Sequence, residues 1–508
     1  MIINKGVFVN IIIVIGEKSG IISLMGSAPK KQNRFLVFVK EHLAEAVTGA
    51  FLLVCLALFS LWGFTKKGLD IKGTVASAVM LLLLAVSFAL SVPKMLRLFK
   101  GSPEVILAAM GERSTRRRSI HPVVSVVLLS LLLRLILFLA AYLISILAEG
   151  YQGTVLNTFK SIWLKADTDA NRYFEIADEL YRGAGGASAN IALAPLFPMA
   201  IRALSLLTRS DFASAIMINT VCSAASSAVI YLLALPDLGR RSAKVAVLFT
   251  FLMPAAIFYA APLPEAMLLL LCSSALLAMR REKFIISGIM ISLASLTELS
   301  GILLAVPFAA EAAAYLVRTI RSKGFKQSVN RLVFVAAGTV LSAVGFMLFL
   351  GLNRYVTGEW FGFIAAAKTL KGLEPTVFLN AADSQINGLV SAFGKNNAAF
   401  FGLWLPNIVH LFGALVVFVT VARTMHSPYS LYFTAYFVVM ASISPLLSVP
   451  RYLAGLVILP FALALLCLSR DDGEGIIRAR AKTLVVSTVL VVGQVFYLIM
   501  YVLGYDIY

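Results

Sequence analysis

The sequence predicts an all-α protein that crosses a membrane many times. Hydrophobic residues make up 60% of the 508-residue chain and charged residues only 14%, whereas soluble domains are about half apolar and about a quarter charged. Apolar runs of about 20 residues, enough for a helix to cross a bilayer core about 30 Å thick, recur along the chain. The alternating polar pattern of a membrane β-barrel is absent from the sequence. These observations exclude a soluble globular domain.

The distribution of positive charge predicts the topology. The net charge is +19, but Lys and Arg lie mainly in short loops between apolar runs, which indicates membrane orientation and requires no nucleic-acid partner. The predicted spans are 46–64, 72–92, 122–147, 212–235, 245–261, 265–279, 284–297, 299–317, 332–352, 398–422, 429–447, 453–469 and 483–504. With these spans the basic loops 113–119, 239–244, 280–283, 317–326 and 470–482 all face the cytoplasm. The basic loop 65–72 falls on the opposite side.

The non-cytoplasmic face receives the two longest polar segments, roughly 148–211 and 353–397. Polar loops are where catalytic and binding residues usually lie. We therefore expect any active site to face away from the cytoplasm, in a bacterial plasma membrane rather than the endoplasmic reticulum.

The chain divides into three predicted regions. Residues 1–24 are expected to be a non-native or disordered extension, because the run IIIVI is too short to span a membrane and Met25 precedes GSAPKKQNR, which is typical of a cytoplasmic start. Residues 25–120 hold two spans and a basic linker. Residues 121–508 form one continuous membrane unit.

The cysteines and histidines predict neither a disulfide framework nor a metal site. The four cysteines lie inside apolar runs without a CxxC pair, and the four histidines are scattered without an HExxH motif. We expect these residues to have packing roles.

The stretch ADTDANRYFEIADELY (166–181) predicts an amphipathic helix. Tyr173, Ile176, Ala177 and Leu180 recur at helical spacing and form one apolar face. Asp169 precedes this face and can cap the helix. Such a helix lies in the membrane interface and would hold Asp169 at the membrane surface. The alternative is a plain solvated cap with no chemical role.

Further ionisable residues are predicted at the outer ends of different spans. Glu265 and Glu298 follow hairpin turns, Arg451 begins a span and Arg354 ends one. An interfacial arginine is often only an anchor, but four such groups on one face are also what the mouth of a cavity would contain.

Arg134 differs because it lies mid-span in LLSLLLRLILFLAAYL. A charge at that depth is costly and usually has a partner inside the bundle. A functional role and a buried salt bridge between helices both remain open.

Several stretches, in order, resemble the PIG-V-like mannosyltransferases of the GT-C superfamily of membrane glycosyltransferases. They are RLILFLAAYL (134–143), TDANRYFEIADELY (168–181), APLFPMAIRALSLLT (194–208), MPAAIFYAAPLPEAMLLLL (253–271), SLASLTELSGILLAVP (292–307) and PRYLAGLVILPFALAL (450–465). The resemblance covers roughly residues 122–470. No single stretch is specific to the family; the resemblance lies in their order and their common side of the membrane.

The resemblance implies a GT-C-type bundle of about 11–14 transmembrane helices, with interfacial helices in the first large outer loop. It implies that residues 121–508 are a catalytic domain that transfers a sugar, in first place mannose, from a polyprenyl- or dolichyl-phosphate carrier to a lipid-linked or glycan acceptor. Asp169 matches the expected catalytic residue, Glu265 the Glu of a later motif, and Arg451 with Tyr452 the late Arg-Tyr pair.

The sequence departs from the family pattern at two positions. Thr168 stands where the family has Trp before the Asp, and Glu298 stands where it has Arg. The charge reversal at Glu298 leaves the sugar, the donor and the activity itself open.

The predicted mechanism is a one-step displacement that inverts the anomeric carbon, with Asp169 as general base. Arg451 is our first choice for binding the leaving phosphate, followed by Arg354 and then Lys165, since a guanidinium can bind a phosphate through two hydrogen bonds. Tyr173 is a further site candidate. Asp167 lies close to Asp169, but no carboxylate triad follows, so we expect no cofactor and no metal requirement.

Two other function classes remain open. A transporter or lipid flippase would also be polytopic, although transporters place polar sites near the midplane. A catalytically inactive homologue that binds glycolipid is the third possibility. The partners expected on the enzyme interpretation are the lipid-linked donor, its acceptor and membrane lipids.

Overall fold

The computed structural model describes residues 71–100, 121–164, 169–181, 190–376, 380–468 and 473–505, which are almost entirely helical. The predicted extension 1–24, the predicted span 46–64, and Lys165, Asp167 and Thr168 lie outside these described residues. In chain order the elements are α1 (Ile71–Lys100), α2 (Pro122–Glu149), α3 (Val155–Trp163), α4 (Asp169–Glu179), α5 (Leu196–Thr208), α6 (Asp211–Leu252), α7 (Ile257–Ala260), α8 (Glu265–Arg280), α9 (Phe284–Thr297), α10 (Ala305–Lys323), α11 (Phe325–Thr357), α12 (Gly362–Lys371), β1 (Glu374–Pro375), α13 (Asn380–Ala392), α14 (Asn397–Ala399), α15 (Leu405–Val421), α16 (Ser427–Met440), β2 (Ile443–Ser444), α17 (Val449–Ala454), α18 (Ile458–Leu466) and α19 (Gly473–Val502).

The predicted all-α, multi-pass membrane architecture is confirmed. The described part of the chain holds seven helices long and apolar enough to cross a membrane, or eight when a bent pair is counted as one span. The larger predicted count of 11–14 stays a prediction, because several predicted spans are short or broken helices. The span predicted at 429–447 is the 14-residue α16, and that at 453–469 is divided between α17 and α18.

A sharp bend separates the helical turns at Pro254–Ala260 from α8. The two parts meet at 103°, and the connecting residues APLP contain Pro262 and Pro264. Proline lacks the backbone N–H that continues a helix, so the chain turns here and α8 begins afresh at Glu265. The bend therefore fixes where the Glu265 carboxylate lies.

Helix α8 carries charged residues at both of its ends, roughly 22 Å apart at about 1.5 Å per residue. Glu265 begins the helix, and Arg280 ends it in an ion pair with Asp237. Two distinct polar regions thus lie at opposite ends of the bundle.

The ends of α11 also differ. Its N-terminus lies within the basic stretch 317–326, whereas the exposed aromatic residues Tyr355, Trp360 and Phe361 lie at its C-terminal end and just beyond it. Positive charge on the cytoplasmic side and aromatic residues at the interface are typical of membrane proteins. This pattern favours the predicted orientation of α11.

Two long segments connect the spans at the Glu265 end. The first contains α3, α4 and α5, each too short to cross a bilayer. The second contains α12, β1 and α13. Strand β1 pairs antiparallel with β2, so that Glu374 lies opposite Ser444 and Pro375 opposite Ile443. This pairing joins the second segment to the chain that leads into α17.

Helix α1 is the described part of the predicted region 25–120. It packs against α10, α13, α15 and α16. Near its end, Lys94 Nζ donates to the carbonyl oxygens of Thr424 and Met425, at 2.7 and 3.2 Å, which lie just past the C-terminus of α15 and have no further helical turn to bond with.

Helices α9 and α11 pack at backbone contact through small residues. A Cβ added at Gly288 would lie 2.2 Å from the Gly338 carbonyl oxygen, and one at Gly345 would lie 2.0 Å from the Ser292 carbonyl oxygen. Small residues allow such close approach between helices in a bilayer, where packing replaces the hydrophobic driving force. This contact fixes α9 against α11 and so holds the turn at Glu298, which follows α9.

We expect Gly345→Ala to lower the free energy of unfolding by about 1–3 kcal/mol, because the added methyl group must push α9 away from α11. Thermal unfolding in detergent would measure this. The matched control is Gly351→Ala in the same helix, where an added Cβ meets nothing within 4 Å. Equal unfolding midpoints for the two variants would contradict the packing interpretation.

Candidate active site

Five ionisable side chains from separate parts of the chain lie together at the Glu265 end of the bundle, and we call them the charge cluster. They are Asp169 at the start of α4, Glu265 at the start of α8, Glu298 in the turn after α9, Lys371 at the end of α12, and Arg451 in α17. The two long connecting segments and two interhelical turns contribute four of them. A site of this kind exists only when the whole bundle is assembled.

Asp169 is the most strongly bound carboxylate of the cluster. Its Oδ2 accepts hydrogen bonds from Lys371 Nζ and Arg451 Nη1, both at 2.7 Å, and the side chain is only 6% exposed. Burial raises the pKa of Asp169, but the positive charges of Lys371 and Arg451 outweigh burial and hold the pKa well below its usual range. Asp169 is therefore ionised throughout the physiological pH range.

Arg451 links two carboxylates from different segments. Its Nη1 donates to Asp169, its Nε donates to Glu265 Oε1, and its guanidinium lies 5.8 Å from the centre of the Phe258 ring. A guanidinium presents several donors in a fixed plane, which suits simultaneous contact with two acids.

Two tyrosines hold the backbone of α17 around Arg451. Tyr436 donates through its hydroxyl to the Tyr452 carbonyl oxygen at 2.6 Å, and Tyr259 donates to the Ala454 carbonyl oxygen at 2.8 Å. Both tyrosines are almost fully buried. Arg451 is therefore presented from a short helix whose backbone is held just after Arg451 by two buried hydroxyl groups.

Glu265 is 2% exposed and occupies the first position of α8. The partial positive charge of a helix N-terminus stabilises a carboxylate there. Its Oε1 is bonded to Arg451, whereas its Oε2 has no hydrogen-bond partner among the described residues. Because a buried carboxylate oxygen normally has a partner, Oε2 is suited to accept a hydrogen bond from a substrate hydroxyl.

Arg134 secures the bend that precedes Glu265. Its guanidinium donates to the carbonyl oxygens of Tyr259 and Ala260, at 2.8 and 3.3 Å, and to that of Asn219 and the Ser223 hydroxyl. The carbonyl groups at the end of a helix have no partner within it, and leaving them unbonded inside a membrane is costly. Arg134 thus supplies hydrogen bonds to the backbone carbonyl groups at the point where the helix breaks.

Asn219 likewise donates hydrogen bonds to carbonyl groups of the bend, at the residues that follow those bonded by Arg134. Its side-chain nitrogen donates to the carbonyl oxygens of Ala261 and Leu263, the latter at 2.9 Å. Within the described part of the chain, the partners of Arg134 are carbonyl oxygens, a hydroxyl and the Phe138 ring, and no salt bridge of Arg134 is found there.

Glu298 has an environment unlike that of Asp169. Burial and the nearby negative charge of Glu265 raise the pKa of Glu298 to about 7, while Arg451, Lys371 and a hydrogen bond from Ser300 at 3.1 Å oppose the rise. Near neutral pH this carboxyl is divided between two forms. It can donate a hydrogen bond in one form and accept hydrogen bonds in the other.

Tyr173 and Tyr452 border the cluster. Tyr173 is buried on the apolar face of α4, with its ring centre 5.4 Å from that of Phe197, and it interacts electrostatically with Asp169 and Arg451. Tyr452 interacts with the same two residues from α17. These phenols close the sides of the site.

The remaining predicted site residues lie elsewhere. Arg354 is exposed at the C-terminal end of α11, and within the described residues it takes no part in the ion pairs of the cluster. Asp167 and Lys165 lie outside the described residues. The structure therefore offers Arg451, rather than Arg354, as the guanidinium beside Asp169.

Lys371 is the cluster member that the sequence did not predict. The segment 353–397 carries Arg354, Lys368, Lys371 and Lys395, and their spacing does not distinguish Lys371 from the others. The end of α12 reaches Asp169 only in the folded chain, where β1, three residues further on, pairs with β2.

The described ranges contain no group of three or more His, Cys, Asp or Glu side chains arranged to hold a metal ion. Two cations separate the carboxylates of the charge cluster, which allows the cluster to bind both anionic and hydroxyl-bearing groups.

Comparisons with known proteins leave this chain without an assigned relative. It matches no family model, and the search of curated proteins gives no match.

We expect Arg134→Met to lower the free energy of unfolding by about 1–3 kcal/mol, because the carbonyl oxygens at the bend lose a charged donor. The comparison is thermal unfolding beside Arg354→Met, which removes an exposed guanidinium. An Arg134→Met protein as stable as the Arg354→Met protein would show that the bend does not need its partner.

Proposed function

We propose that this protein is an integral membrane glycosyltransferase. It moves a sugar, in first place mannose, from a polyprenyl- or dolichyl-phosphate carrier to a lipid-linked or glycan acceptor on the non-cytoplasmic face of a bacterial plasma membrane. The observation that carries the proposal is the charge cluster itself, in which Asp169 lies within hydrogen-bond distance of two cations. The order of sequence stretches that resemble PIG-V-like enzymes supports a GT-C-type bundle.

The position of the cluster suits a lipid-linked substrate. Asp169 begins a short amphipathic helix, and Glu265 begins α8 after a bend. Both residues therefore lie toward the ends of the spans, at the level where a lipid phosphate and its sugar would lie. A carrier could keep its hydrocarbon chain among the helices while presenting the anomeric carbon to Asp169.

The proposed reaction uses Asp169 as general base. The acceptor hydroxyl forms a bond from its oxygen to the anomeric carbon, and its proton passes to Asp169. The bond from the anomeric carbon to the phosphate oxygen breaks, and its electron pair leaves with the polyprenyl phosphate. A single displacement inverts the anomeric carbon.

Arg451 stabilises the leaving phosphate in this scheme. Negative charge grows on the phosphate as the bond breaks, and a fixed guanidinium beside it lowers the barrier. Glu265 orients Arg451 through Nε and offers its second oxygen to a sugar hydroxyl. Glu298 adds a second group that can donate to or accept from the sugar.

The transporter or flippase alternative receives less support. Such proteins bind their cargo near the midplane, whereas mid-span Arg134 bonds to carbonyl groups of the bend. An inactive glycolipid-binding homologue is the second candidate. It is favoured by the low pKa of Asp169, since a carboxylate paired with two cations is a weak base.

Transfer assays separate these functions. Purified protein is given labelled polyprenyl-phosphate-mannose, then other polyprenyl-linked sugars, together with a lipid extract of the source organism. We expect transfer by the wild type and a rate roughly 10²–10⁴-fold lower for Asp169→Asn, because the base is lost while the side chain keeps its shape.

The control is Glu179→Gln, which changes an exposed acid at the other end of α4 and should leave the rate unchanged. Near-normal transfer by Asp169→Asn would remove Asp169 from the base role. Donor binding by the wild type without transfer to any acceptor would favour the inactive homologue.

A further inference from the structure

We propose that Lys371 is a ligand of the donor phosphate and exchanges its partner, leaving Asp169 for the phosphate when the donor binds. This inference rests on the proposed function and adds to it a catalytic residue and a reason for the ion pair between Lys371 and Asp169. Four observations lead to it.

The first observation is that Asp169 has more positive charge around it than a general base can use. Its Oδ2 is shared by Lys371 and Arg451. A general base works best when its pKa is near the working pH, and two cations at hydrogen-bond distance hold the pKa of Asp169 far below that range. One of the cations must therefore move before Asp169 can accept a proton readily.

The second observation identifies which cation can move. The Arg451 side chain is 16% exposed and is bound to both Asp169 and Glu265, whereas that of Lys371 is 34% exposed and, among the described residues, its ion pair is with Asp169 alone. Moving Arg451 would also leave the buried Glu265 unpaired, which is costly. Lys371 can leave with a smaller penalty.

The third observation is that the backbone at Lys371 is fixed while its side chain is flexible. Lys371 ends α12, and Gly372 follows with a φ of +64°, a left-handed conformation that glycine adopts without strain. The pairing of β1 with β2 then begins at Glu374. The ammonium group can therefore move over several ångströms on its four-carbon chain without displacing the segment.

The fourth observation concerns the charges that would remain. The ionisable groups that interact with Asp169 in the described residues are Lys371, Arg451, Tyr173 and Tyr452, and Glu265 and Glu298 lie on the other side of Arg451. Loss of Lys371 leaves Asp169 with one cationic partner, Arg451, in a buried region that also holds two other carboxyls. The pKa of Asp169 then rises toward its usual range.

Because Lys371 exchanges its partner, the strength of Asp169 as a base depends on whether the donor is bound. A phosphodiester attracts an ammonium group as strongly as a carboxylate does, and it lies where negative charge will grow during transfer. With Lys371 on the phosphate and Arg451 between phosphate and Asp169, the donor both positions the leaving group and releases the base. Asp169 stays a weak base until the donor phosphate binds.

The test compares Lys371→Met with Lys368→Met, which removes an exposed lysine of the same helix that pairs with Glu374 outside the cluster. Two quantities are measured on the full chain in detergent: the affinity for polyprenyl phosphate without sugar, and the pH dependence of kcat/KM for transfer. Lys371→Arg, which keeps a cation, tests rescue.

We expect Lys371→Met to bind polyprenyl phosphate roughly 10–100-fold more weakly, because one hydrogen bond between charged groups is lost. Because kcat/KM reports the free protein, and the free protein of this variant lacks one cation beside Asp169, the acid limb of its profile should move to higher pH. Lys368→Met should match the wild type, and Lys371→Arg should recover most of the affinity.

The outcomes separate this inference from the proposed function. Wild-type transfer together with unchanged phosphate affinity and an unchanged acid limb in Lys371→Met would overturn the role of Lys371 and leave the enzyme intact. A lower kcat without weaker phosphate binding would show that Lys371 only supports Asp169, which also overturns it. Wild-type protein that neither binds polyprenyl phosphate nor transfers sugar would overturn both proposals.

Discussion

The charge cluster depends on the guanidinium of Arg451, which joins Asp169 to Glu265. Each of these carboxylates is almost fully buried, and an unpaired buried charge is expensive. One cation compensates both acids and brings together a short surface helix, the start of α8 and α17. The geometry of the site therefore follows from where Arg451 can lie, and Tyr436 and Tyr259 help to fix that position by holding the backbone that follows it.

A second constraint comes from the bilayer. A chain that bends at Pro254–Ala260 leaves carbonyl groups without helical partners, and no water is present in the hydrocarbon region to bond with them. Arg134 and Asn219 supply these bonds. The bend therefore accounts for the presence of a costly mid-span arginine, and the arginine stabilises the bend. The bend in turn places Glu265 at a helix N-terminus facing Arg451. A structural residue deep in the bundle thus helps to set the geometry at the surface.

The sequence predicted the helical membrane architecture well, because apolar length and loop charge depend on local composition. It also indicated that Asp169, Glu265, Glu298 and Arg451 belong to one face, and the structure places them together. It could not predict Lys371, since the approach of α12 to Asp169 is a contact between residues 202 positions apart, in a segment with several other basic residues. It could not exclude Arg354 from the cluster either, because the position of a residue at the end of a span does not show which way its side chain turns. The sequence left open whether Arg134 has a functional role or a salt bridge between helices, because the bend and its free carbonyl groups are invisible in composition.

A structure of the full chain bound to polyprenyl phosphate, determined in a lipid nanodisc, tests the central claim most directly. The account predicts the phosphate against Arg451 and the ammonium group of Lys371, with Asp169 no longer bonded to Lys371 and open to an acceptor hydroxyl. A phosphate bound at the opposite end of the bundle, near Arg280, or at mid-membrane depth with the Lys371–Asp169 pair intact, would contradict it.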